Sequence, residues 1–152
     1  AIIENVIKQL NDFYNGPSWV TYNLEKKVFS LTESVAFEKK PAYSHSIAEQ
    51  VAHLTAWRNF ALQKLSGNIN FNITDDSEED WPRVTDWNTV RDEFKVCHQG
   101  LIKATGNFTE DQWYATVPGR SYSFLYMING IVQHDYYHYG QIGSLLAAIR
   151  KS

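Results

Sequence analysis

Two histidines four residues apart, His134 and His138, stand in the run Gly130-Ile-Val-Gln-His-Asp-Tyr-Tyr-His-Tyr-Gly-Gln141. An apolar helical pattern surrounds them: Phe124, Ile128, Ile131, Ile142, Leu145 and Ile149, spaced mostly by threes and fours. Histidines at this spacing project from one helix face with Cβ atoms roughly 6 Å apart. Both imidazoles can then close on one divalent cation at ~2.0–2.1 Å per bond. On a wheel of ~100° per residue with His134 at zero, His138 falls near 40°, Leu145 near 20° and Ile131 near 60°. The pair therefore points into the packed interior. A buried imidazole needs hydrogen-bond partners or a metal, because an unsatisfied polar group there costs roughly 1–3 kcal/mol. Taken alone, the pair is compatible with metal ligation and with a hydrogen-bonded core pair.

Two histidines do not complete a catalytic metal site, so the other three matter. His45 lies at a helix start beside two serines and is expected to face water. His98 follows Cys97 and is expected at the solvent edge of its helix. Adjacent helical residues do not share a face, which disfavours a Cys97/His98 ligand pair. His53 lies one turn before Trp57 and two before Phe60, on a stripe expected to be buried. Three inward histidines on two helices favour a metal site made of His53, His134 and His138 over a core cluster.

These side chains need helices to position them. Apolar residues recur at helical spacing, with no sustained period-two alternation. A first helix is expected over about Ile2 to Tyr14, broken by Gly16-Pro17, and a second, short one from about Ser18 to Phe29. Ser46-Ile47-Ala48-Glu49 has the form of a capping box opening a helix that runs to about Leu65 and stops at Gly67-Asn68. Residues 67 to 85 read as a polar, acidic, solvated loop that lacks the glycine and terminal glutamate of a calcium loop. Asp86 is the expected N-cap of a helix carrying Trp87, Val90, Phe94, Cys97, Leu101 and Ala104 as a seam. After the Pro118-Gly119 turn, a last helix covers about Ser123 to Ile149. The expectation is an all-α bundle over 1–152, one domain, with four long helices and one short one.

Bulk properties exclude several function classes. The chain of 152 residues is 43% apolar and 14% aromatic, with 14 basic and 17 acidic side chains and a net charge of −3. No basic cluster exceeds the pairs Lys26-Lys27 and Lys39-Lys40, so nucleic acid is not an expected partner. Nor is a membrane, since no apolar run approaches the ~20 residues of a span. Residues 1–5 are too polar for a signal peptide, and one cysteine, Cys97, fits a reducing compartment. A soluble, cytoplasmic protein is expected.

The stretches Gly16-Pro17-Ser18-Trp19, Ser46 to Arg58, Asp80-Trp81-Pro82 and Gly130 to Ile142 occur in one order along nearly the whole chain. In these the chain resembles the DinB-like/YfiT-like superfamily of metal-binding four-helix bundles. The resemblance implies an up-down-down-up bundle, a homodimer, and one divalent metal held by His53, His134 and His138. It also implies either a transferase using a low-molecular-weight thiol or a metal-dependent hydrolase acting on a small-molecule substrate. A metal or small-molecule-binding protein without turnover is the remaining alternative.

Three neutral imidazoles leave a coordination position free, as catalytic sites do. The ion can then lower the pKa of bound water or bind a thiolate as an activated nucleophile. No catalytic side chain is expected beyond that bound water or thiolate. Imidazole ligands suit Zn, Ni and Fe alike, so the metal's identity stays open. Gln141, near −20° on the same wheel, is either a partner of the site or a helix-packing amide. Glu49 is either an acceptor behind a ligand or simply half of the capping box. Trp19, Tyr22, Trp57 and Tyr137 are either pocket walls or plain core, with the pocket expected between the Trp19/Tyr22 helix and the His-bearing helices. Asp135 points ~100° away and is not an expected ligand.

Overall fold

The computed structural model describes residues 1–20 and 22–151. Among the described residues seven helices follow one another: α1 (Ile2–Tyr14), α2 (Leu24–Lys27), α3 (Glu33–Phe37), α4 (Ile47–Leu65), α5 (Trp87–Gly106), α6 (Glu110–Tyr114) and α7 (Phe124–Arg150). Among the described residues β structure is limited to one antiparallel bridge, Thr116 to Ser123.

Local chemistry sets the ends of the long helices. Ser46 Oγ accepts from the Glu49 N–H while Glu49 Oε1 accepts from the Ser46 N–H, which satisfies two free donors at the start of α4. Asp86 caps α5 by accepting from the Thr89 N–H, and Ser123 caps α7 by accepting from the Tyr126 N–H. Gly67 takes φ +91° just past α4, a left-handed conformation that glycine adopts without steric cost.

The short helix expected over about 18–29 shrinks to one turn, Leu24–Lys27, and Thr21 lies outside the described residues. Asn23 explains the shift. Its side chain donates to the Gly16 carbonyl and accepts from the Lys26 N–H, so the helix starts there and not at Ser18. Two further short helices, α3 and α6, join it. Glu33 in α3 accepts from the Trp87 N–H, and the Trp87 indole donates to the Leu31 carbonyl, which ties α3 to the start of α5.

Contacts between the long helices give their directions. Tyr14 meets Phe94 and Asn11 meets His98, so α1 and α5 are antiparallel. Gln50 meets His138 and Arg58 meets Asp135, so α4 and α7 are antiparallel. Thr55 contacts Cys97, and a Cβ on Gly100 would lie 3.1 Å from Leu62, so α4 and α5 run parallel. The bundle is up-down-down-up, with α1 and α4 on opposite corners.

Its core is split in two. One apolar cluster gathers Phe13, Leu24, Val51, Leu54, Phe94 and Ile142, and the other Val6, Leu10, Phe60, Leu101, Trp113 and Ile128. Between them lies a polar layer of buried Arg58, Asp135, His98 and His53 with half-buried Asn11 and His134. His98 was expected at the solvent edge. It is instead 5% exposed, because its ring bridges Arg58 and Asn11 inside this layer. Among the described residues no helix is long and apolar enough to cross a membrane.

Candidate metal centre

The antiparallel contact of α4 and α7 brings His53 against His134 and His138. His53 Nε2 lies 3.1 Å from His138 Nε2 and 3.1 Å from His134 Nε2. One nitrogen from each ring falls within 4.8 Å of the other two. Two tetrahedral ligands on a zinc-sized ion stand about 3.3 Å apart, given bonds of ~2.0–2.1 Å. The spacing therefore suits a divalent cation.

Hydrogen bonds behind the rings decide which nitrogens carry protons. His53 donates Nδ1–H to the Asp80 carbonyl at 2.7 Å, and an Asp80 carboxylate oxygen lies 3.1 Å from the same nitrogen. His138 donates Nδ1–H to Gln50 Oε1 at 2.7 Å. Both rings then face each other through unprotonated Nε2 lone pairs. Only His134 can offer a proton to the cluster, and its buried Nδ1 has no hydrogen-bond partner. At least one close N···N contact is thus lone pair to lone pair, which is repulsive unless a cation lies between. The donor set fits a metal better than it fits a hydrogen-bonded core.

Burial pushes His134 down to about 3 and His138 down to about 4, with the neighbouring imidazoles adding to the effect, and it lowers His53 as well. All three are neutral at pH 7, as ligation requires.

The loop expected to be merely solvated supplies the outer support. Asp80 is buried. Its Oδ1 accepts from the Trp57 indole N–H at 2.7 Å, and its Oδ2 from the Asp76 backbone N–H at 2.9 Å. Asp76 sits at φ +61°, in the left-handed region, where the turn doubles back toward the cluster. Trp81 is sandwiched between His53, at 3.8 Å between ring centres, and His45, at 3.5 Å. His45 was expected in water. It is half-buried because Trp81 covers one face and Glu49 Oε2 lies 3.3 Å from its Nδ1. Gln50, Asp80 and Trp81 escaped the sequence reading, and only the Asp80-Trp81-Pro82 stretch signalled two of them.

Two cavities flank the cluster. One, of about 430 Å³, is lined by His53, His134, Trp57, Phe60, Met127, Gly130 and Ile131, with Asp75, Asp80, Tyr122 and Tyr126 completing it. The other, of about 790 Å³, is lined by His138, Gln50, Gln141, Tyr137, Tyr43, Trp81 and further polar groups. The loop runs between them, with Asp75 on the first and Asp76 on the second.

The remaining candidates divide. Trp57 walls the first cavity and Tyr137 the second. Gln141 also lines the second, donates to the Tyr137 hydroxyl at 3.2 Å and lies close enough to His138 to favour its protonated form. Trp19 is 101% exposed and Tyr22 68%, and neither lines a cavity at the cluster. The expected opening beside them is replaced by the cavities above, because the chain turns away at Asn23. Glu49 is committed to Ser46, Lys39 and His45. Burial pushes its carboxyl up, but these hydrogen bonds outweigh that and hold it at about 2. Asp135 points away from the cluster to Arg58.

The family model of the DinB superfamily matches residues 18–142, which include all three histidines and the Asp80 loop. The chain belongs to the DinB superfamily. Searches of curated proteins and of solved structures returned no match. For this DinB-superfamily protein, the three converging histidines form a group that can hold a divalent ion.

Proposed function

We propose that this protein is a divalent-metal-dependent transferase joining a low-molecular-weight thiol to an apolar electrophile. The observation that carries this reading is the pair of unlike cavities on either side of the histidine cluster, one largely apolar beside His53 and His134, the other polar beside His138. A transferase must seat two reactants in near-attack geometry, whereas a hydrolase needs one organic substrate and water.

His53, His134 and His138 would hold the ion. When bound, it supplies Lewis acidity and stabilises a thiolate at neutral pH. The chain's own groups do the rest. Asp80 and Gln50 fix the tautomers of His53 and His138 so that both Nε2 atoms face inward. The loop lines both cavities, Asp75 and Asp80 the first and Asp76 and Trp81 the second. Cys97 is unsuited to act as the nucleophile, since burial raises its thiol to about 11 and it faces the groove between α4 and α5. Asp80 already accepts from Trp57 and Asp76 and contacts His53, which makes it a poor base for activating water. That favours transfer over hydrolysis. The homodimer is part of the same reading and rests on the resemblance alone.

The test is an assay of metal-loaded, tag-free protein against panels of thiols and apolar electrophiles. Thiol-dependent conjugates that vanish in His53→Ala are expected. Thiol-independent ester or amide cleavage would replace the reading with a hydrolase. Rates equal to those of His53→Ala throughout would leave a binding protein.

A further inference from the structure

We propose that the apolar cavity beside His134 seats a ring-sized apolar group of the substrate, and that Gly130 is the residue that keeps this seat open. The proposal rests on the transferase reading only for the word substrate; the preference for an apolar ligand rests on the lining.

Gly130 lies four residues before His134 on α7, so the two share a face one turn apart. Glycine inside a helix is unfavourable because it loses more backbone freedom than alanine on folding. Gly100 has a packing reason to be glycine, since a Cβ there would press on Leu62 at 3.1 Å. Gly130 has none: its φ is not positive, and beyond its own stretch of helix backbone an added Cβ would meet no heavy atom within 4 Å. What the missing side chain leaves is cavity, which Gly130 lines together with His134.

The walls suit carbon. Trp57 spends its indole N–H on Asp80, so the ring offers apolar surface to the cavity. Phe60 and Ile131 are fixed apolar walls, and Met127 is a flexible one that adapts to the shape placed against it. A volume of about 430 Å³ lies in the lower part of the range for small-molecule sites and leaves room for a fused pair of rings.

The test uses the neutral fluorescent probe N-phenyl-1-naphthylamine with the metal-loaded protein and its Gly130→Ala, Gly130→Leu and Gly130→Phe variants. Metal content and circular dichroism are followed in parallel. The wild type should bind one probe per chain, Gly130→Ala within about twofold of that affinity, Gly130→Leu more weakly, and Gly130→Phe at least tenfold more weakly. Equal affinity in the wild type and a folded Gly130→Phe protein would overturn the proposal, as would a wild type that shows no saturable binding. Should Gly130→Phe not fold, Gly130→Leu carries the same comparison. Graded probe binding without turnover would sink the transferase reading and leave this inference standing. Undiminished turnover of an apolar electrophile by Gly130→Phe would do the reverse.

Discussion

Arg58 and Asp135 meet in the middle of the bundle as a two-pronged ion pair, fully buried on both sides. Arg58 Nη2 lies 2.8 Å from Oδ2, and Nε lies 3.1 and 3.2 Å from the two carboxylate oxygens. The guanidinium also donates to His98 Nδ1 at 2.9 Å and lies 4.8 Å from the centre of the Phe94 ring. Asp135 directly follows His134, so the pair anchors α7 one residue from the histidine cluster.

Replacing Arg58 by Ala should therefore cost about 3–5 kcal/mol, because it strands a buried carboxylate. Urea unfolding reads this directly. The double replacement Arg58→Met with Asp135→Leu should recover part of the loss, since it removes the stranded carboxylate but still leaves His98 Nδ1 without its donor. A loss below about 1 kcal/mol in the single variant would mean that water reaches the pair.

His98 makes stability sensitive to mild acid. Burial, and then the charge of Arg58, lower it from its ordinary value of 6.5 to about 4. The Arg58 N–H already occupies Nδ1, and Nε2–H is donated to Asn11. The unfolded chain takes up the proton that the folded one refuses. This contribution is thus full above pH 6.5 and is lost as pH falls toward 4, up to about 3 kcal/mol at ~1.4 kcal/mol per pH unit. Unfolding free energies measured from pH 7 to 4 should fall with acid, and the fall should be shallower in His98→Gln.

Asp80→Ala removes the carboxylate behind His53 and the partner of Trp57. Partners of this kind are worth 10–100-fold in metal affinity. Titration against a chelating dye should show a loss of about that size, with helical content unchanged because Asp80 lies outside every helix.

Metal removal should leave the helices standing. Neither apolar cluster counts a histidine among its members, so both cores are built without them. Chelation should preserve the circular-dichroism signal and lower the melting temperature modestly, unlike a zinc finger, whose folding is metal binding. Elemental analysis of His138→Ala should give well below one metal per chain.

The helices were legible because capping is local. Ser46 with Glu49, Asp86 and Ser123 each cap a helix from within four residues, and those bounds agree with the structure to within a residue. The histidines were legible because spacing on α7 and the resemblance pointed to the same face. The parts that were not legible are long-range. Asp80 reaches His53 across 27 residues from a loop with no periodicity. Arg58 and His98 are polar residue types that ordinarily face water, and their burial is tolerable because Asp135 pairs with Arg58 while Arg58 and Asn11 occupy both ring nitrogens of His98. Trp19 and Tyr22 were misplaced because bulk and aromaticity argue for burial, while the Asn23 turn sends them outward.

The polar layer between the two apolar clusters also has a bearing on alignment. Leucine and isoleucine contacts are forgiving, and sliding α7 along α4 by one turn, about 5.4 Å, would exchange one set of them for another. The same slide would pull Asp135 off Arg58 and both α7 histidines off His53. The layer thus acts as a key that admits one register, as a buried asparagine does in a coiled coil. Either apolar half can then be repacked by mutation without the donor atoms drifting apart.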